Sequence, residues 1–395
     1  MILEYIYNNG KRELISLNNE IDANLDWKYL QTLNKLEFIK KFIPKYKSQQ
    51  KMVLFDANHK QLLEFYNKNN LNEIQDIKNL QESTKLLFFT SGSSGFPIGA
   101  FKTKENLQNE VKSLQKLIKH KKIKRVVVTV PFVHIYGVLA GLLLPMALYE
   151  ITLVIKEDFF PYELLEEVKT ADTLVITSPI FIKALAKLTE DVNLQKTLFI
   201  SSTAPLSIED IALFEDKYST NIVQLFGSTE TGGIAYKLGR SKQWRPLESV
   251  TIDTEDDRLC VKSQFISDYL LKDKLEKVTQ PYKTEDIIKL SDNGFELIGR
   301  SNKLIKIAGK RISAMQIEKI LEEIPEIDKA IVELKYKQEL LRSEQILITL
   351  VAKKPVEKKV IKKKINQYYG IISIPFSLKY VEQINYSAMG KRVIF

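Results

Sequence analysis

Cysteine is almost missing from this chain: Cys260 is the only one among 395 residues. A lone thiol excludes a disulfide framework and any zinc site built on cysteine, and Cys260 reads as a small, partly buried hydrophobe. Histidine is scarce too. His59, His120 and His134 are scattered without metal-ligand spacing. No secretory leader is expected, because residues 1–7 are short and contain Glu4. Only 137–155 is long enough to suggest a membrane span, yet it holds Pro145 and Glu150 and ends in the run Ile151-Thr152-Leu153-Val154-Ile155. A buried helix followed by a buried strand is expected there, no membrane span, and a cytoplasmic location.

The chain also lacks internal repeats and low-complexity linkers. Its 44% hydrophobic and 27% charged residues are ordinary for a globular protein, and 395 residues suggest two or three domains. The net charge of +10 comes mostly from lysine spread along the chain. No segment interleaves arginine with aromatics as base-stacking modules do, so no nucleic-acid partner is expected.

Residues 1–82 mix short strands with polar helices and carry no recognisable chemistry. From 85 to about 290, apolar strands at 125–130, 173–177, 197–201 and 221–225 alternate with amphipathic helices such as 104–119 and 207–217. That rhythm predicts an α/β architecture with ligand groups on loops at strand ends. A second unit begins near Gly299, with strands at 303–307, 330–335 and 346–353 and a helix at 314–323. A lysine-rich helix is expected over 356–369. Its lysines read as a solvated face or, alternatively, as a docking surface for an acidic partner.

Within the α/β part, the strand 86–89 runs into Thr90-Ser91-Gly92-Ser93-Ser94-Gly95-Phe96-Pro97. Six successive hydroxyl-bearing or glycine residues let main-chain N–H groups approach an anion closely. Composition alone explains the loop equally well as a Ser/Gly-rich surface turn. It is not the common P-loop, since no Lys-Ser or Lys-Thr follows Gly95. Further along stand Pro131-Phe132-Val133-His134-Ile135-Tyr136-Gly137, Ser201-Ser202-Thr203-Ala204-Pro205-Leu206, and Phe226-Gly227-Ser228-Thr229-Glu230. Then come Tyr282-Lys283-Thr284-Glu285-Asp286, Gly299-Arg300, the loop 306–312 around Gly309, and Asn385-Tyr386-Ser387-Ala388-Met389-Gly390-Lys391.

In this order the motifs resemble those of the adenylate-forming (AMP-binding) superfamily, which includes acyl-CoA synthetases, aryl-CoA ligases and adenylation domains. The resemblance spans 86–391 and implies a large N-terminal domain of β-sheets flanked by helices, 1–298, with a reduced first subdomain at about 1–82. A small mobile α+β C-terminal domain, 299–395, would follow. It further implies ATP and Mg2+ as cofactors, a carboxylic acid as substrate, and coenzyme A or a carrier-protein phosphopantetheine thiol as acceptor.

By that resemblance, Thr90, Ser91, Gly92, Ser93, Ser94 and Gly95 cradle phosphate. Phe226 stacks on adenine with Gly227 and Ser228 beside it, Thr229 contacts phosphate, and Glu230 holds the metal. Thr203, Ala204 and Pro205 border the adenine and the acid, while His134 borders the carboxylate pocket. Asp286 holds the ribose, and Arg300 reaches the ribose or a phosphate. Lys391 bridges the carboxylate and the α-phosphate. Once the small domain turns about Asn302, the Gly309 loop would line the thiol channel.

Several positions depart from the family pattern. Ile98 stands where a loop lysine is usual, Ser202 and Thr203 replace small glycines, Glu285 replaces glycine, and Asn302 replaces Asp or Lys. Amino-acid adenylation domains place Asp where Val133-His134 stands, so a fatty or aryl acid is favoured over an amino acid. The alternatives are an amino-acid adenylation domain and a degenerate, non-catalytic binder of nucleotide or acyl chain.

Overall fold

Val126-Val127-Val128 and Leu174-Val175-Ile176 are aliphatic runs with no polar alternation, as strands covered on both faces require. In the computed structural model every one of these side chains is 0% exposed. The structure describes residues 1–17, 26–32, 34–56, 77, 80, 82–89, 98–272, 274–301, 304–307, 310–336, 344–369, 376–386 and 392–393. Among them one unit is built chiefly from Met1–Ile252 and Val261–Tyr282, and a second from Asp253–Cys260 and Lys283–Ser387.

The first unit centres on a nine-stranded sheet. Its spatial order is Arg245–Pro246, Gly232–Leu238, Ile222–Ser228, Thr197–Ser201, Thr173–Thr177, Arg125–Val128, Thr152–Lys156, Ile2–Ile6 and Arg12–Leu14. The strands from Ile222–Ser228 through Ile2–Ile6 pair in parallel, and an antiparallel hairpin closes each edge. Parallel neighbours need crossover connections, and the helices between the strands supply them. Residues 137–155 follow the expected course. The helical stretch Ile135–Val138, a π-helical turn Leu139–Leu143 and Leu144–Ala147 precede the strand Thr152–Lys156. Among the described residues no helix is long and apolar enough to cross a membrane.

A six-stranded sheet lies beside it in the same unit, ordered Leu275–Lys277, Tyr269–Leu271, Gly99–Thr103, Thr84–Phe89, Met52–Leu54 and Lys28–Leu30. The helix Lys104–Ile118 follows directly from Gly99–Thr103. A capping box starts it, with Thr103 Oγ1 accepting the Asn106 N–H and Asn106 Oδ1 accepting the Thr103 N–H. Leu107, Val111, Leu114 and Ile118, spaced three and four apart, join one core with Leu86, Phe88, Val126 and Val128. Each such burial contributes about 1.5–3 kcal/mol, so this helix fastens the two sheets to a common core.

The second unit is α+β. The strands Ile327–Tyr336, Glu344–Ala352 and Phe376–Tyr380 form one sheet, against which Ile317 and Leu321 of helix Ala314–Glu322 and Ile361 and Ile365 of helix Lys358–Tyr369 are buried. On the latter helix Lys358, Lys359, Lys362 and Lys363 are exposed.

Candidate active site

In open parallel sheets, ligands collect beyond the carboxyl ends of the strands, where chain direction across the sheet reverses. Here Arg125–Val128 is that reversal: the next strand in sequence lies on one side of it and the one after that on the other. Four neighbouring strand ends deliver 129–134, 177–178, 201–205 and 226–230. The structure therefore brings His134, Thr203, Ala204, Pro205, Phe226, Gly227, Ser228, Thr229 and Glu230 to one end of one sheet.

Hydrogen bonds stitch these ends together. Thr129 Oγ1 and Thr177 Oγ1 are 2.8 Å apart, Tyr136 Oη donates to the Ile200 carbonyl at 2.8 Å, and Ser202 Oγ donates to the Leu225 carbonyl at 3.0 Å. The glycine of the His134 motif has a steric cause: a Cβ on Gly137 would sit 2.0 Å from the Pro131 carbonyl oxygen. That close approach fixes the turn on which half-buried His134 stands. Thr203 takes φ +83°, a left-handed conformation that favours glycine. The family's glycine is thus what this backbone prefers, and Thr203 occupies it under strain.

Thr229 and Glu230 form the turn joining the antiparallel strands Ile222–Ser228 and Gly232–Leu238. Both are half-buried. Ser228 and Thr231 lock the turn through their hydroxyls at 3.0 Å and through the Ser228 N–H donating to Thr231 Oγ1 at 3.1 Å. Behind it, Phe226 packs against Trp244 at 5.3 Å between ring centroids, and Lys237 Nζ lies 4.8 Å from the Trp244 ring centroid. The Glu230 carbonyl accepts the Ser267 N–H at 2.9 Å and Lys102 Nζ at 3.0 Å.

Lys102 and Glu110 are residues that sequence reasoning missed. Lys102 is 0% exposed, and its Nζ also donates to the Phe265 carbonyl at 2.5 Å. Glu110, on the helix Lys104–Ile118, accepts the Gly233 N–H at 2.8 Å. Burial pushes the Lys102 ammonium down and the Glu110 carboxyl up, and the two charges pull each other back toward ionisation. The sequence carried no signal for Lys102, which lies on a strand; Asn106 and Glu110 are four apart on one face of the helix, and Asn106 Nδ2 likewise donates to the Gln264 carbonyl at 2.7 Å.

In the second unit Asp286 and Arg300 are cross-strand partners on Tyr282–Ser291 and Gly294–Arg300. Glu285, which departs from the family pattern, pairs with Arg258 at 2.5 Å and accepts the Ser301 hydroxyl. Successive strand residues point to opposite faces, so Glu285 takes its partners away from Asp286. Thr90, Ser91, Gly92, Ser93, Ser94, Gly95, Asn302, Gly309 and Lys391 lie outside the described residues. The strands flanking the 90–97 segment are antiparallel, with Phe89 opposite Gly99.

A family model described as AMP-binding enzyme matches residues 25–264. The chain is 26% identical over 286 residues to peroxisomal OPC-8:0-CoA ligase 1 of Arabidopsis thaliana, covering 64% of this chain and 52% of that protein. It is 23% identical over 342 residues to the putative long chain fatty acid-CoA ligase VraA of Staphylococcus aureus, covering 80% and 71% respectively. It spans about half the length of the first of these curated relatives. Among solved structures, ATP-bound MatB from Rhodopseudomonas palustris superposes over 99% of this chain and 94% of that one, with TM-score 0.79 and 13% identity, a likeness of fold.

Proposed function

The chain belongs to the AMP-binding enzyme family, and from that premise we propose that it is an ATP-dependent acid–thiol ligase acting on a fatty or aryl acid. The observation that carries this reading is the meeting of the His134, Thr203 and Glu230 motifs at the carboxyl ends of three strands of one parallel run, with only Thr173–Thr177 between them. In the first step a carboxylate oxygen attacks the α-phosphorus of ATP, and the bond to the pyrophosphate leaving group breaks. In the second a thiolate attacks the acyl carbon, and AMP leaves as the thioester forms.

On this reading Phe226 carries the adenine on the face away from Trp244, and Ala204 and Pro205 border it. Asp286 and Arg300 take the ribose, and His134 borders the acid. Thr229 donates to a phosphate oxygen, and Lys391 bridges the acid and the α-phosphate as charge develops there. The residues at the turn fit magnesium. Glu230 offers a half-buried carboxylate oxygen, the kind of donor Mg2+ shares with phosphate and water, and Lys102 binds its carbonyl rather than that carboxylate. When bound, the metal neutralises charge on the phosphates.

The names of the relatives, ligases of coenzyme A with OPC-8:0 and with long-chain fatty acids, support coenzyme A as acceptor and, within the fatty or aryl class, a fatty acid as substrate. A second reading, transfer to an acidic carrier protein, draws on the exposed lysines 358, 359, 362 and 363. ATP–pyrophosphate exchange over a panel of acids, with mass detection of the adenylate, tests the activity. Exchange should depend on one class of acid and be lost in Lys391→Ala; nucleotide binding without exchange for any acid overturns the ligase reading. Repeating the assay with coenzyme A and with a holo carrier protein assigns the acceptor.

A further inference from the structure

Lys102 occupies a fully buried strand position that an apolar side chain would fill at no electrostatic cost. Burying an ammonium is costly unless its donors are used, so its presence calls for a physical account. Its two acceptors are not neighbours in sequence. One is the carbonyl of Glu230 in the turn 229–231, the other the carbonyl of Phe265. A single ammonium thus cross-links two segments that otherwise meet through the Ser267 N–H on the same Glu230 carbonyl.

Glu110 works on the other end of that turn. Its Oε1 accepts the Gly233 N–H, and its Oε2 lies where a Cβ on Gly232 would come within 2.5 Å. Gly232 also takes φ +71°. Glycine at 232 is therefore demanded twice, by conformation and by the carboxyl packed against it. Oε2 itself is buried with no hydrogen-bond partner among the described residues. Its charge is offset by attraction to Lys102, on which burial acts first and the attraction of Glu110 next.

We propose that Lys102, together with Glu110, is a positioning residue for the metal-binding turn: the pair clamps the main chain on both sides of Glu230 so that its carboxylate is held in place before nucleotide arrives. The inference rests on the reading of Glu230 as the magnesium ligand. Pre-organisation of this kind lowers the cost of binding, because the turn has no freedom left to lose. It also explains why three buried polar residues of this strand and helix, Lys102, Asn106 and Glu110, bond to main chain of 230–233 and 264–265.

The test compares wild type with Lys102→Met/Glu110→Gln, which removes both buried charges together, and with Glu230→Gln as benchmark. Calorimetry should show MgATP binding weakened about tenfold in the double variant, with AMP affinity in EDTA changed by less than about twofold. Hydrogen–deuterium exchange of the nucleotide-free variant should quicken at 228–233 and 265–267 while the strand Thr84–Phe89 stays protected. Wild-type MgATP affinity together with wild-type exchange in a folded double variant overturns the proposal. Independently of whether that variant folds, the Ser267 amide of the intact protein must be strongly protected, and rapid exchange there also overturns it. If Glu230→Gln leaves MgATP binding unchanged, the magnesium assignment fails, and the exchange data still decide whether Lys102 clamps the turn.

Discussion

Arg300 stands directly across from Asp286 on the neighbouring antiparallel strand, its Nε 3.5 Å from Asp286 Oδ1. That Nε is buried and makes no aligned hydrogen bond among the described residues, so the pair is an ion pair with a donor in reserve. The Thr284 hydroxyl meanwhile holds the Asp286 N–H at 3.1 Å, fixing the main chain beside the carboxylate. A carboxylate held beside a guanidinium is well placed to accept two ribose hydroxyls. Asp286→Asn keeps the shape and removes the charge. Hydrogen bonds to charged groups contribute about 1.5–3 kcal/mol, so AMP affinity measured by calorimetry should fall about 10- to 100-fold. Unchanged affinity would remove Asp286 from the ribose site.

Thr203 carries a β-branched side chain at φ +83°. The left-handed region costs a non-glycine residue about 1–2 kcal/mol, and glycine returns part of this as unfolded-state entropy. Thr203→Gly should therefore stabilise the protein by about 1 kcal/mol, seen as a higher urea midpoint at unchanged slope. If the hydroxyl serves the site, pyrophosphate exchange falls in the same variant. A lower midpoint would mean that Thr203 contributes packing greater than its strain.

Much of the fold was legible because its signals are local. The apolar runs at 173–177 and 197–201, each with a hydroxyl residue at both ends, became strands with those bounds. The strand expected at 221–225 instead runs to Ser228, because it pairs with Gly232–Leu238 in a hairpin that local hydropathy does not encode. Ile2–Ile6 was harder still. Its place in the sheet depends on parallel pairing with Thr152–Lys156, a contact far away in sequence. The site motifs were readable for the opposite reason, since glycine and hydroxyl patterns mark backbone geometry directly. Lys102 was not, because a lysine in a strand gives no sign that its ammonium is buried.

Ile98 is half-buried and precedes Gly99, whose Cα is hemmed in by Leu87, Phe89 and Leu271 so that a Cβ would meet them at 3.0–3.1 Å. The residue after 98 is thus held firmly, and a lysine at 98 would start from a fixed point. Ile98→Lys restores the cation usual in the family's phosphate loop. A charge-assisted bond to phosphate of about 1.4 kcal/mol corresponds to a tenfold gain in exchange rate at subsaturating ATP. The gain should shrink as salt is raised. Equal rates for the two proteins would show that the loop does not need this lysine.

Lys35 begins the helix Lys35–Lys47, and its Nζ donates to the carbonyls of Thr129 at 3.2 Å and Lys156 at 2.9 Å. These carbonyls end or follow the neighbouring strands Arg125–Val128 and Thr152–Lys156, so the ammonium ties two strand ends that flank the reversal point. Burial pushes Lys35 down from 10.5 to about 8, against the attraction of Glu157 and Asp158. Between those values the unfolded chain keeps a proton that the folded one has released, so Lys35 makes stability rise with pH across this window. Below about pH 8 both states are protonated and the cost of the buried charge is constant. From pH 8 to 10 the contribution amounts to about 2 kcal/mol. Urea unfolding of wild type and Lys35→Met at these pH values isolates it, because the buried tyrosines, whose hydroxyls burial pushes up, titrate alike in both proteins. Wild-type stability should gain on the variant as pH rises; a constant difference would place the ammonium in contact with water.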